Sequence, residues 1–115
     1  VAKKQEAFRL ASISFAYASA KPAKKQDIVF ENIVEYLKQH PSARIRLDGY
    51  ADKATGKART NLMLSIRRTD SVRNILIERY GIAPSRIDAQ GIGCNAQPYE
   101  KNEHNRVVIV TALPE

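Results

Sequence analysis

The strongest constraint on this chain lies near its end. Residues 106–113, RVVIVTAL, form a continuous run of β-branched and aliphatic side chains. Such a run keeps no polar face for water, so it reads as the central strand of a sheet. The rest of the chain provides neighbours for it. Residues 12–18, SISFAYA, alternate Ile13, Phe15 and Tyr17 with Ser12, Ser14 and Ala16, the period-two pattern of a half-buried strand. Residues 43–50, ARIRLDGY, alternate again, with Ile45 and Leu47 inward and Arg44, Arg46 and Asp48 outward. A shorter strand is predicted over 86–91, after Pro84 and Ser85.

Two segments carry the helical period instead. Over 24–39, Phe30, Ile33, Val34 and Leu37 stand at i, i+3, i+4 and i+7, flanked by Val29 and Tyr36. His40-Pro41 stops this helix, because the residue before proline is pushed out of the helical region. The second helix is predicted over 60–80 and ends at Gly81. Residues 51–59 and 92–105 read as loops, and 1–11 as a lead-in, either a strand or the end of a linker, which leaves 12–115 as the domain. The order β-α-β-α-β-β predicts an α+β fold: a two-layer sandwich with two helices packed on one face of a mixed four-stranded sheet.

Composition narrows the function classes. At 115 residues and 43% hydrophobic, the chain is one domain with a real core, which excludes wholesale disorder. It carries 19 Lys+Arg against 12 Asp+Glu, a formal +7, so an anionic partner is favoured: nucleic acid, a membrane face or an acidic polymer. One cysteine excludes an intrachain disulfide, and two histidines with one cysteine argue against a zinc site. Cys94 and His104 match no nucleophile motif, and Gly91-Ile92-Gly93 falls short of a nucleotide fingerprint, so neither catalysis nor a cofactor is expected. No apolar run approaches membrane-span length. A chain that opens Val1-Ala2-Lys3 without Met is expected to be a mature protein or a domain cut from a longer one.

The second helix holds the informative anomaly. Leu64, Val72, Ile75 and Leu76 share one stripe, and Asn61 and Arg68 lie on that same stripe. A guanidinium on a core-facing stripe must pair or face a wet cleft, because an unpaired buried charge is expensive. The nearest acid is Asp52, just past the 43–50 strand. In a β-loop-α unit the strand end and helix start adjoin, so Asp52 and the Asn61–Arg68 segment can share a crevice of the kind that holds ligands. Spacing alone leaves two readings open. Asp52 and Arg68 bridge each other and hold the loop, which is the commoner case; or they stand apart and grip a zwitterion, the acid taking an ammonium and the guanidinium fork a carboxylate.

These residues also carry a resemblance. Gly49-Tyr50-Ala51-Asp52, then Gly56, then Asn61, Leu64, Ser65 and Arg68 resemble the core motif of the OmpA-like C-terminal domain. SISFAYASAKPAKKQDIVFENIVEYLKQHPSARI upstream, and YGIAPSRIDAQGIG and NEHNRVVIV downstream, resemble its other segments, so the likeness covers roughly residues 12–111. Domains of that family occur in outer-membrane protein A, in the peptidoglycan-associated lipoprotein and in flagellar stator proteins. The resemblance implies a non-enzymatic module that binds peptidoglycan non-covalently in the periplasm, within a parent chain anchored in the outer or another envelope membrane. It implies that Asp52 and Arg68 grip the zwitterionic end of meso-diaminopimelate in the stem peptide. Asn61 would order the loop or meet the ligand backbone, Ala51 and Leu64 would line the pocket, and Tyr50 would touch ligand. The chain departs from the pattern at Ala51, where Thr is frequent, at Thr69, where Ala is usual, at Cys94, where an acid often follows, and in a 53–59 loop about one residue longer than in some members.

Residues 53–79 hold Lys53, Lys57, Arg59, Arg67, Arg68, Arg73 and Arg79 against Asp70 and Glu78, a local +5. Lys53, Lys57 and Arg59 either form a solvated face or attract an anionic wall polymer to the site. The alternative function from another class is a basic α/β nucleic-acid-binding domain. It would be indifferent to Asp52 and would want aromatics on an open sheet face, of which this chain has few.

Overall fold

The computed structural model describes residues 6–23, 25–52, 57–94 and 96–114. Four strands, β1 (Phe8–Ser14), β2 (Ile45–Tyr50), β3 (Ile87–Gly93) and β4 (Val107–Ala112), and two helices, α1 (Asp27–Gln39) and α2 (Ala58–Glu78), follow in the order β1-α1-β2-α2-β3-β4. The sheet order is β1-β4-β2-β3. β4 runs antiparallel to β1 and to β2, while β2 and β3 are parallel across the α2 crossover, so the sheet is mixed. The β-branched run is an interior strand, as its composition predicts.

One core lies between the sheet and the helices. Phe30, Ile33, Val34 and Leu37 of α1 and Val72 and Leu76 of α2 pack against Ile13, Ile45, Leu47, Val108 and Val110. The pairing register keeps these strand residues on one face: Ile13 lies opposite Val108, and Leu47 opposite Val110. The other face is polar beside β4, where Asp48 accepts from Arg46 Nε at 3.0 Å and from Gln90 Nε2 at 2.6 Å.

α2 sits very close to the sheet, and small residues allow it. A Cβ at Gly49 would overlap Thr69 Oγ1 and the Ser65 carbonyl oxygen. One at Gly91 would stand 2.7 Å from the Ile66 amide and 2.8 Å from Ser65 Oγ. Hydroxyls fill the gap productively. Thr69 Oγ1 donates to Ser65 O at 2.7 Å, Ser65 Oγ donates to Leu62 O, and Ser65 Oγ in turn accepts from the Gly93 amide at 2.9 Å.

The element limits differ from expectation at both ends of the first strand. β1 begins at Phe8, within the segment read as lead-in, so the strand alternative holds for residues 8–11. The alternation of 12–18 continues past the strand itself. Ile13 and Phe15 are buried, but Tyr17 is 52% exposed. The chain leaves the sheet there because Ala18 takes the left-handed conformation, with φ 52°, in a turn closed by Ser19 N–H donating to Ala16 O. Ile92 and Gly93, read as loop, extend β3, and residues 102–105 make a 3-10 turn. The Lys53 and Gly56 part of the expected loop lies outside the described residues.

Candidate functional site

The carboxyl end of β2 delivers Tyr50, Ala51 and Asp52 to the first half of α2. Ala51 is fixed from both sides: its amide donates to Gly93 O at 3.0 Å, and its carbonyl accepts from Gln97 Nε2 at 3.0 Å. Asp52 is fully buried, and its carboxylate accepts from Arg106 Nε. Arg106 in turn lies over the Tyr17 ring, 5.2 Å from its centroid. Tyr50 is half-buried, and burial together with the Asp48 carboxylate pushes its phenol upward in pKa.

Arg68 is the largest fully buried side chain among the described residues. Its Nε donates to Ser19 O at 2.8 Å, Nη1 to Tyr50 O at 2.9 Å and Nη2 to Ala16 O at 3.1 Å. Its guanidinium also lies 5.3 Å from the centroid of the Phe15 ring. The sequence offered pairing with an acid or a wet cleft; the carbonyls of two neighbouring chain segments provide a further solution. Burial lowers the Arg68 pKa to about 10, the Asp52 carboxylate opposes that shift and Arg106 adds to it. Arg68 is therefore charged at neutral pH and feels Asp52. Its bond to the Tyr50 carbonyl anchors it two residues from Asp52, and with Arg106 on Asp52 this nest at the end of β2 is net cationic.

The remaining expected residues fall around this nest. Asn61 and Leu64 are buried on the inner stripe of α2, two turns and one turn before Arg68 respectively. Leu64 also lines an open groove of about 370 Å³ that runs along the N-terminal half of α2, with Ala18, Thr60, Met63, Arg59 and Arg67. Cys94 is a half-buried free thiol. Among the described residues no group of three or more His, Cys, Asp or Glu could hold a metal ion, and no helix is long and apolar enough to cross a membrane.

Sequence reasoning missed a second set of residues. Arg106 reads as the first residue of a strand, yet it is the cation on Asp52. Asn105 is buried and ties the preceding loop together: its Nδ2 donates to Gln97 Oε1 and to Tyr99 O, and its Oδ1 accepts from the Tyr99 amide. Through Gln97 this loop holds the Ala51 carbonyl, one residue from Asp52. The only signal in the sequence was a polar pair, Asn105-Arg106, at the mouth of an otherwise apolar strand.

Comparisons with known proteins bear on the family and the fold. The sequence pattern of the OmpA family matches residues 14–108. Outer membrane protein 40 of Porphyromonas gingivalis is 41% identical over 100 residues, covering 87% of this chain and 26% of that protein. Peptidoglycan-binding protein ArfA of Mycobacterium bovis is 33% identical over 88 residues, covering 71% of this chain and 26% of its own length. This chain thus spans about a quarter of these curated relatives. The crystal structure of the peptidoglycan-associated lipoprotein from Burkholderia pseudomallei superposes with a TM-score of 0.81 over 89% of both chains at 22% identity, a likeness of fold.

Proposed function

The chain belongs to the OmpA family, and from that premise we propose that it binds peptidoglycan non-covalently and holds a longer envelope protein to the wall. Binding takes place in the periplasm, and the parent chain is attached to the outer membrane or another envelope membrane. The module does no covalent chemistry. The observation that carries the reading is that two buried charges lie at the carboxyl end of β2: Asp52 itself, and Arg68, whose Nη1 donates to the carbonyl of Tyr50 two residues before it. A relative named for peptidoglycan binding supports it.

The ligand is the zwitterionic end of meso-diaminopimelate in the stem peptide. Asp52 accepts from its ammonium, sharing the carboxylate with Arg106. Arg68 donates to its carboxylate, whose oxygens replace backbone acceptors of the Ala16–Ser19 turn. Such exchange keeps every donor matched, so it avoids the penalty of a buried orphan group. Asn61 orders the approach to the nest, Ala51 and Leu64 line it, and Tyr50 touches the ligand at its edge. Family membership displaces the nucleic-acid alternative.

Co-sedimentation with purified sacculi at physiological salt, wild type beside Asp52→Asn, tests the reading. The substitution keeps size and shape and makes the protein more basic. A hydrogen bond to a charged group contributes about 1.5–3 kcal/mol, so binding is expected to fall roughly tenfold to a hundredfold. Pelleting of Asp52→Asn equal to wild type, with the fold intact, would reduce the interaction to bulk charge and sink the assignment.

A further inference from the structure

An open groove lies beside the nest, along the N-terminal half of α2. At about 370 Å³ it falls in the usual range of ligand sites, roughly 300–1,000 Å³. Its wall on α2 is built from positions 59, 63 and 67, four apart and therefore stacked on one side of the helix. The middle of that row is Met63, an exposed apolar side chain, and its two ends are Arg59 and Arg67. Three surface arginines elsewhere are matched by acids, Arg44 by Asp88, Arg46 by Asp48 and Arg79 by Asp27, while Arg9 donates to the Tyr99 hydroxyl instead. Among the described residues, Arg59 and Arg67 have no such carboxylate. The groove is thus an apolar seat between two cations that pair with no carboxylate among the described residues.

We propose that this groove is a second subsite for the same wall ligand, taking a free carboxylate of the stem peptide beside the diaminopimelate end group. The inference rests on the peptidoglycan reading. Leu64 belongs to both places: it lies in the groove wall and stands one helical turn before Arg68, so a peptide anchored in the nest continues into the groove. Met63 and Leu64 seat the aliphatic part of the neighbouring acidic residue, and Arg59 and Arg67 hold its charge. They are specificity-determining residues. A carboxamide in place of the carboxylate fills the groove equally well but leaves both cations without a counter-charge. The module therefore discriminates free from amidated stem peptides, a distinction that the nest alone does not make.

Isothermal titration of three soluble probes separates the possibilities: meso-diaminopimelate alone, a stem tripeptide ending in diaminopimelate with its acidic-residue carboxylate free, and the same tripeptide amidated there. Wild type is expected to bind the free tripeptide roughly fivefold to tenfold more tightly than the amidated one. The exposed pair Arg59→Gln/Arg67→Gln is expected to bind both tripeptides alike and to bind diaminopimelate as wild type does. Equal binding of the two tripeptides by wild type would overturn the subsite. So would a loss in the double variant that is as large for diaminopimelate alone, since the arginines would then supply only a general field. Failure of wild type to bind diaminopimelate at all would overturn the reading of the nest, and the subsite with it, and that result comes from a separate titration.

Discussion

From Val72 to Leu76, α2 presents carbon to carbon, and its inner stripe merges with Leu37, Ile45 and Leu47 in the core. From Asn61 to Thr69 the same stripe buries an amide, two hydroxyls and a guanidinium. Both halves are equally dry, but they are held by different means. The C-terminal half gains by removing apolar surface from water, which is non-directional and tolerates repacking. The N-terminal half holds only where each donor meets an acceptor at the right place, and those acceptors are backbone carbonyls of other segments: Ala16 and Ser19 before α1, Tyr50 at the end of β2. Arg86 repeats the device nearer the surface, donating to Leu37 O, His40 O and Ala43 O behind α1. The contrast teaches where a site can form. A carbon-packed stripe has nothing to exchange with a ligand, whereas a stripe of buried donors can trade a backbone acceptor for a ligand oxygen.

Substitution can break either half. The largest effect is expected for Arg68→Met, which keeps much of the length and removes the charge. It strands three carbonyls and leaves Asp52 with Arg106 in a changed field. Breaking a buried polar arrangement from one side costs about 3–5 kcal/mol, and a urea titration should show the midpoint fall accordingly. A loss below about 1 kcal/mol would mean that water or a shifted turn replaces the guanidinium. Leu76→Ala attacks the other half. It leaves a cavity in a well-packed core and is expected to cost about 3 kcal/mol by the same titration, while sacculus binding stays within twofold of wild type once the protein is folded. A specific loss of binding in Leu76→Ala would erase the division of labour between the halves. The smallest effect sharpens the comparison from outside the helix. Ala18 holds φ 52° in the turn that provides two of the Arg68 acceptors. Glycine adopts that conformation without strain, so Ala18→Gly is expected to stabilise the fold by about 0.5 kcal/mol. Thermal unfolding should show a small rise in midpoint; a fall would mean that Ala18 packing outweighs the strain.

Much of this was legible before the structure. Period-two alternation marked the strands at 12–18 and 43–50 and the 3.6 period the face of both helices, because burying one face of an element leaves its period in the sequence. The continuous run at 106–113 announced an interior strand, and Arg68 on a core stripe announced a polar site. Errors gathered where a pattern outlives its element. Tyr17 keeps the alternation of β1 but lies beyond a turn that tertiary hydrogen bonds create, and Phe8–Ala11 lacks a clean alternation although β4 pairs with it.

What the sequence determined by itself, then, is the order and type of the elements and the identity of the misfit guanidinium, since both follow from local spacing. Only the tertiary structure decided which groups meet that misfit. Ser19 and Arg68 are 49 positions apart, and Asp52 and Arg106 are 54 apart. No local pattern encodes a partner at that distance. Backbone carbonyls in particular leave no trace in a sequence, because every residue carries one and only the fold aims it.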